Sequence, residues 1–173
     1  MNRSCVFITN TDFPSKIRKN MIDLGMAGGS QKNLVQLVFI DSYSGAAGQP
    51  STEKHFVSSP TDLTTLGVKI SICLESLGSD TDVFLDSLAP LFTMLKPDFI
   101  VTFVHSIGAK VKGANGRFYF TVGAGVEEEV LAKLEGTSDG VIEIETYEVS
   151  GVQRRRLRVK KMRGRYVDKW VPF

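Results

Sequence analysis

Residues 83–87 read Val-Phe-Leu-Asp-Ser, an apolar run that ends in a carboxylate. An unbroken apolar run of this kind is typical of a strand buried on both faces, as in a parallel sheet. The runs at 5–9, Cys-Val-Phe-Ile-Thr, and at 34–40, which ends at Asp41, follow the same pattern. Segments with helical spacing of apolar residues separate these runs, so the sequence predicts a three-layer α/β fold.

Helices are predicted to begin near Pro14, after Thr61 or Asp62 as the capping residue, and at Pro97 or Asp98. The last of these helices carries five residues at core spacing: Ile100, Phe103, Val104, Ile107 and Val111. Residues 68–74 also alternate between apolar and polar types, so a strand stays open there, although the helical pattern is favoured. Shorter helices are predicted over 88–94 and 127–134, and a further strand over 118–122.

A hairpin is predicted over 141–149 and 152–159, because Ser150-Gly151 is a two-residue turn pair. This turn sets a register of four facing pairs: Ile142 with Val159, Glu143 with Arg158, Ile144 with Leu157, and Glu145 with Arg156. One face is then apolar, and the other pairs acids with bases. The chain is predicted to be one domain over 1–173, with an α/β core over 1–140 and a C-terminal hairpin and basic tail over 141–173.

The charge of the chain is concentrated at its C-terminal end. The net charge of +2 divides into −6 over residues 1–150 and +8 over 151–173. Because the hairpin register already occupies two arginines, the surplus without a predicted partner consists of Lys160, Lys161, Arg163, Arg165 and Lys169. Such a basic end is typical of surfaces that meet phosphates, nucleic acid or an acidic partner.

Composition and motifs exclude several classes of protein. No apolar run reaches the roughly 18 residues of a membrane span, and no signal peptide is recognisable, so a cytoplasmic protein without membrane contact is expected. Cys5 and Cys73 stand alone, which argues against a disulfide framework or a zinc site, and Cys5 is expected to be buried in a strand. No GxxxxGK[ST] phosphate-binding loop (P-loop) occurs in the sequence, and no GxSxG, HExxH or kinase signature occurs either.

Several stretches, taken in order, carry a resemblance to a known family. They are Val-Phe-Ile-Thr at 6–9 with Pro14, Leu-Val-Phe-Ile-Asp-Ser-Tyr-Ser at 37–44, Val-Phe-Leu-Asp-Ser-Leu at 83–88, Ser-Asp-Gly-Val-Ile-Glu at 138–143, Arg-Leu-Arg-Val-Lys-Lys-Met-Arg-Gly at 156–164, and the closing Pro172-Phe173. From about residue 5 onward the chain resembles the KaiC-like branch of the RecA ATPase superfamily, which is widespread in archaea. The resemblance implies a RecA-like, mostly parallel sheet with a C-terminal hairpin, short of its first strand and P-loop.

The resemblance also implies a nucleotide site. Asp86 matches the Walker B aspartate that holds Mg²⁺ through water, and Ser87 follows it, although a helix-capping role for Asp86 stays open. Thr11 and Asp12 match the two catalytic glutamates of KaiC proteins, but a threonine cannot act as a general base. Lys161 and Arg163 match the family's Lys-x-Arg, which reaches the nucleotide of a neighbouring subunit.

Three functions stay open at this point. The first is a regulatory or assembly module without ATPase activity of its own, which meets ATP and Mg²⁺ on a P-loop-bearing KaiC/RecA-like partner. The second is an ATPase that has lost its N-terminal P-loop segment. The third is a nucleic-acid-binding module that uses Lys160, Arg165 and Lys169.

The resemblance carries one architectural expectation as well. The family's P-loop strand lies between the strands that match 118–122 and 141–149. Without it, the two strands must pair directly or leave an open edge, and we therefore expect a homo-oligomer, a complex with a partner subunit, or a rearranged sheet.

Overall fold

The structure is a computed structural model, and it describes residues 3–26, 34–164 and 168–173, with the side chains of 34 and 35 left aside. The chain divides into two compact units, Met1–Val126 and Glu127–Phe173. The helix that begins just after Val126 therefore belongs with the hairpin. Among the described helices, none is long and apolar enough to cross a membrane.

The first unit contains a parallel sheet of five strands in the order β3-β2-β1-β4-β5. The strands are β1 (Arg3–Thr9), β2 (Leu34–Asp41), β3 (His55–Phe56), β4 (Thr81–Asp86) and β5 (Phe118–Phe120). The three apolar runs of the sequence are β1, β2 and β4, and they lie side by side at the centre of the sheet. The prediction of buried parallel strands is confirmed.

Four helices accompany this sheet: α1 (Pro14–Asp23), α2 (Leu63–Leu77), α3 (Ala89–Met94) and α4 (Pro97–Gly113). The open alternative for 68–74 is settled in favour of the helix, and the Asp62 side chain caps it by accepting a hydrogen bond of 2.9 Å from the Thr65 amide. In α4, all five positions predicted at core spacing are buried.

The core of the first unit lies between one face of the sheet and the helices α2 and α4. Alternate strand residues point to this side, and they are essentially inaccessible to water: Val6, Ile8, Ile40, Val83 and Leu85. In α1, Ile17 and Met21 are half-buried. Leu24 lies just beyond the last residue of the helix and is 75% exposed.

The second unit contains α5 (Glu128–Thr137) and an antiparallel sheet in the order β6-β7-β8. Its strands are β6 (Gly140–Val149), β7 (Val152–Met162) and the very short β8 (Val171–Pro172). The turn residues Ser150 and Gly151 both have positive φ, 52° and 78°, as the favoured two-residue hairpin turn requires. All four predicted facing pairs are present in the register, which confirms the hairpin.

The strands β5 and β6 belong to different sheets in the described part of the chain. Each is an edge strand of its own sheet, so the two do not pair directly. Of the two outcomes expected without a strand between them, direct pairing or an open edge, the described residues show an open edge, and the oligomer stays a prediction.

Candidate functional site at the carboxyl end of the parallel sheet

The carboxyl ends of β1 and β4 meet, because Thr9 and Asp86 are register partners on neighbouring parallel strands. The Thr121 hydroxyl, just beyond β5, donates a hydrogen bond of 2.7 Å to Asp86 Oδ1. The Thr11 hydroxyl lies 3.5 Å from Asp86 Oδ2 and 3.4 Å from its carbonyl oxygen. The structure thus brings Thr11 and Asp86 together, and it adds Thr121 to them.

Ser87 has a local structural role beside this carboxylate. Its amide donates a hydrogen bond of 2.6 Å to Asn10 Oδ1, and its hydroxyl accepts one of 3.2 Å from the Ala89 amide at the start of α3. The peptide bond between Asp86 and Ser87 is cis. The open alternative, that Asp86 caps the following helix, does not describe the structure, since the Ser87 hydroxyl accepts the hydrogen bond from the first amide of α3 and Asp86 bonds to threonines.

Asp12, the second position matched to a catalytic glutamate, is engaged elsewhere. Its carboxylate pairs with Lys16 at 2.7 Å, one turn along α1, and accepts a hydrogen bond of 2.9 Å from the Phe13 amide. The hydrogen bond from Lys16 is the main cause that lowers the pKa of Asp12 below its usual value. Thr11 therefore lies at the Asp86 cluster, whereas Asp12 is an ion-paired carboxylate near the start of the helix.

Sequence reasoning missed Asn10 and Thr121. Asn10 binds the backbone after β4, and Thr121 binds the carboxylate at the end of β4. Both directly follow a strand in the structure, and polar residues in that position gather at one end of a parallel sheet. This signal was available for Asn10, whereas the sequence predicted Thr121 inside a strand over 118–122 that in fact ends at Phe120.

The chemistry of Asp86 fits a cation held together with phosphates. Within the described ranges, no lysine, arginine or histidine forms an ion pair with Asp86, and no group of three or more His, Cys, Asp and Glu side chains could enclose a metal. Mg²⁺ is commonly held by one or two carboxylates together with waters and substrate phosphates. A single carboxylate flanked by hydroxyls suits that mode of binding and does not suit a metal cage made only of protein.

A second carboxylate at this end of the sheet, Asp41, is fully satisfied by neutral donors. It accepts hydrogen bonds from the Ser44 and Ser51 hydroxyls at 2.5 and 2.6 Å, and from the Tyr43 and Ser44 amides at 3.0 and 2.9 Å. Burial acts to raise the pKa of Asp41, but these hydrogen bonds outweigh it and lower the pKa overall. Asp41 thus anchors the loop that follows β2.

The basic residues of the second unit have partners that sequence analysis did not foresee. Lys160 pairs with Glu135 at 2.7 Å and with Glu143 at 3.3 Å. Lys161 donates a hydrogen bond of 2.5 Å to the Glu135 carbonyl, and Arg163 pairs with Asp139 at 2.8 Å. The expectation of an unpaired surplus is therefore wrong for these three, because Glu135 on α5 and the residue before β6 lie next to β7.

Two members of the expected surplus remain. Lys169 is exposed, and Arg165 lies outside the described residues.

The two cysteines are buried, and burial raises the pKa of the Cys5 thiol to about 12. A thiol of that kind is not a nucleophile at neutral pH, so the expectation of a buried structural cysteine in the first strand is confirmed.

Comparisons with known proteins agree with this architecture. The sequence profile of a family of unknown function, DUF7504, matches residues 7–144. A UPF0273 protein from Methanopyrus kandleri is 27% identical over 162 residues, which are 92% of this chain and 64% of that protein. The chain therefore spans less than two thirds of the length of this relative.

Among solved structures, a KaiC-like protein from the hyperthermophilic archaeon Pyrococcus horikoshii has the same fold. Its TM-score is 0.72 at 18% sequence identity, and the match covers 99% of this chain and 72% of that one. The expected resemblance to KaiC-like proteins is thus confirmed at the level of the fold, which is RecA-like.

Proposed function

Since the chain belongs to the family of unknown function DUF7504 and has a RecA-like fold, we propose that it is a regulatory or assembly module for a nucleotide-binding partner. In this proposal, the carboxyl end of the parallel sheet meets Mg²⁺ and the phosphates of ATP that a P-loop-bearing subunit holds. The P-loop is assigned to the partner because these 173 residues contain no GxxxxGK[ST] sequence.

The environment of Asp86 is the observation that carries the proposal. Two threonine hydroxyls flank this carboxylate, and no ion pair with it is found in the described residues. A carboxylate at the carboxyl end of a parallel strand lies where ligands of open α/β sheets bind. Mg²⁺ bound to a nucleotide would supply the missing positive charge.

A non-catalytic role is supported by the residues at the positions matched to catalytic glutamates. The Thr11 hydroxyl is too weak a base to accept a proton from an attacking water at neutral pH. Asp12 has a suitable group, but its carboxylate is held by Lys16 and the Phe13 amide. Neither side chain is arranged as a general base.

Lys161 and Arg163 are proposed as contacts to the phosphates of the partner. Each has an intramolecular partner that a phosphate would have to replace, the Glu135 carbonyl for Lys161 and Asp139 for Arg163. The Arg163 and Asp139 side chains are 75% and 60% exposed, so this ion pair is weakly held and readily exchanged. Phosphate, like carboxylate, is a charged acceptor that arginine binds through two parallel hydrogen bonds.

The test is an ATPase assay with a P-loop-bearing KaiC-like protein from the same organism, with and without this chain. We expect the chain to bind the partner in a pull-down and to change its rate of ATP hydrolysis several-fold. Asp86→Ala should abolish the change of rate, and Asp23→Asn, which neutralises an exposed acid at the end of α1, should retain it.

The outcomes separate the three functions. No binding and no change of rate would contradict the proposal. A GxxxxGK[ST] sequence encoded in frame upstream of these residues would favour the catalytic alternative instead. Salt-dependent binding of DNA or RNA without any effect on the partner would favour the nucleic-acid-binding alternative.

A further inference from the structure

The antiparallel sheet of the second unit has two edges of very different kinds. β8 contains two residues, one of them Pro172, and both shortness and proline protect a sheet edge against unwanted pairing. β6 is ten residues long, Gly140–Val149, and contains no lysine, arginine or proline. Since the edge strands β3 and β5 have only two and three residues, β6 is the longest edge strand in the part of the chain that the structure describes.

Exposed apolar side chains lie on this same strand. Ile142 is 60% exposed and Ile144 is 64% exposed, although both are on the face that the hairpin pattern marked as apolar. Leu157 and Val159, their register partners on β7, are half-buried. A long edge strand with exposed isoleucines is a template for pairing with another strand.

The hairpin turn fixes which amides are available on the outer edge. In a two-residue turn, Val149 and Val152 form a hydrogen-bonded pair, and the bonding then alternates along the ladder. Glu143, Glu145 and Tyr147 therefore direct their amides toward β7. Ile142, Ile144 and Thr146 direct theirs toward the open edge.

Two of the three acids on β6 are neutralised within the hairpin, and the third, Glu148, lies beside the turn opposite Gln153. Glu143 pairs with Arg158 at 2.6 Å and also with Lys160, and Glu145 pairs with Arg156. A second strand that places acids opposite these acids therefore meets ion pairs and not bare carboxylates. Like charges directly opposite each other would otherwise oppose strand pairing.

The pattern of β6 matches the strand to another copy of itself. Ile142-Glu143-Ile144 and Glu143-Ile144-Glu145 read the same in both directions, so an antiparallel copy related by a two-fold axis repeats the alternation of the first. All directly opposed side chains of such a pair point to the same face, and with the axis at Ile144 this residue faces its own copy while Ile142 faces Thr146. Two-fold interfaces require this kind of self-complementarity.

We infer that the outer edge of β6 is a homodimer interface. β6 of a second copy pairs with it in antiparallel orientation near Ile144 and joins two three-stranded sheets into one continuous sheet. This inference is independent of the proposed nucleotide site, which lies in the other unit.

The test is the molar mass of the full chain in solution, measured by sedimentation equilibrium over a range of micromolar concentrations. We expect a dimer with twice the 19.0 kDa mass of the chain. Ile144→Lys replaces an apolar side chain by a charge at the pairing edge, and Thr146→Pro removes one outward amide without affecting the bonds to β7. Each should weaken dimerisation at least about tenfold, while circular dichroism stays that of the wild type.

The matched control is Val68→Lys, which changes a comparably exposed apolar residue, 52% exposed on α2, in the first unit. It should leave the dimer intact. A monomeric wild type across the whole concentration range would overturn the inference. It would also be overturned by a dimer that survives both β6 substitutions, or by one that Val68→Lys weakens equally.

Discussion

The two ends of β4 carry two aspartates in opposite situations. Asp82, at the amino end, accepts hydrogen bonds of 3.0 and 2.7 Å from the Arg3 guanidinium and one of 2.8 Å from the Arg117 amide. Asp86, at the carboxyl end, accepts hydrogen bonds from threonine hydroxyls only. The two side chains lie four residues apart on the same strand and point to the same face of the sheet. The face of the sheet therefore does not explain why their hydrogen-bond partners differ.

The surroundings of the two strand ends explain it. At the amino end, Arg3 joins β1 to β4 and also contacts Asp80 and the Asn115 carbonyl in the connecting loops. A charged group satisfied in this way holds loops and strands together and is not available to a ligand. At the carboxyl end the charge of Asp86 is uncompensated among the described residues, which makes it the better candidate for a ligand contact.

The largest effect on stability is expected from removing the contacts of Asp82 at the amino end of β4. Asp82→Ala removes the carboxylate that Arg3 and the Arg117 amide share, and it should lower the free energy of unfolding by about 3 kcal/mol. Asp86→Ala, four residues along the same strand, should change it by no more than about 0.5 kcal/mol. Urea denaturation followed by circular dichroism measures both, and equal losses at the two positions would remove the contrast between the ends.

Asp41 sharpens the comparison, because it also lies at the carboxyl end but has four donors. Asp41→Asn turns an amide NH₂ group toward hydroxyl and amide donors, and it should cost about 2 kcal/mol of unfolding free energy. Ser51→Ala removes only one of the donors and should cost about 1 kcal/mol. If Asp41→Asn lowered the free energy of unfolding as little as Asp86→Ala does, the loss would depend on the position in the sheet and not on the number of hydrogen-bond donors.

The pH dependence of stability gives a smaller effect of known sign. Burial acts to raise the pKa of Asp82, but the hydrogen bonds from Arg3 and the Arg117 amide and the charge of Arg3 lower it below 3.8 overall. A carboxyl whose pKa is depressed by folding stabilises the fold above its unfolded pKa, and this contribution is lost as the pH falls through the folded pKa. The stability difference between wild type and Asp82→Asn should therefore be constant at neutral pH and narrow below about pH 4. A difference that widens in acid would contradict the assignment.

Local patterns allowed much of the fold to be predicted from the sequence. The turn pair Ser150-Gly151 fixes the hairpin register, and the spacing of Ile100 to Val111 fixes α4, because both depend on neighbours within a few residues. The contacts of Lys160 with Glu135 and of Thr121 with Asp86 span 25 and 35 residues. Such contacts depend on which elements lie side by side, and no periodicity in the sequence carries that information.

The same limit applies to exposure. The pattern of β6 correctly separated an apolar face from a charged one, but the apolar face is the more exposed of the two. A two-residue period shows which side chains share a face, and it does not show what covers that face. β8 escaped prediction for a related reason, since two residues that include Pro172 carry no recognisable strand pattern.

The smallest effect is expected for the exposed ion pair between Arg163 and Asp139. Like Asp86, this pair is not expected to be required for the stability of the fold. Arg163 and Asp139 are largely exposed, so solvent screens their attraction, and Arg163→Ala should leave the urea midpoint of the chain unchanged. Glu145→Gln in the hairpin serves as the control, because its partner Arg156 also stacks on Tyr147 and Trp170 and a small loss is expected there. If Arg163→Ala then alters the ATPase response of a partner, the cause is a lost contact and not an unfolded domain. A shifted midpoint would instead assign Arg163 to the residues that hold the second unit together.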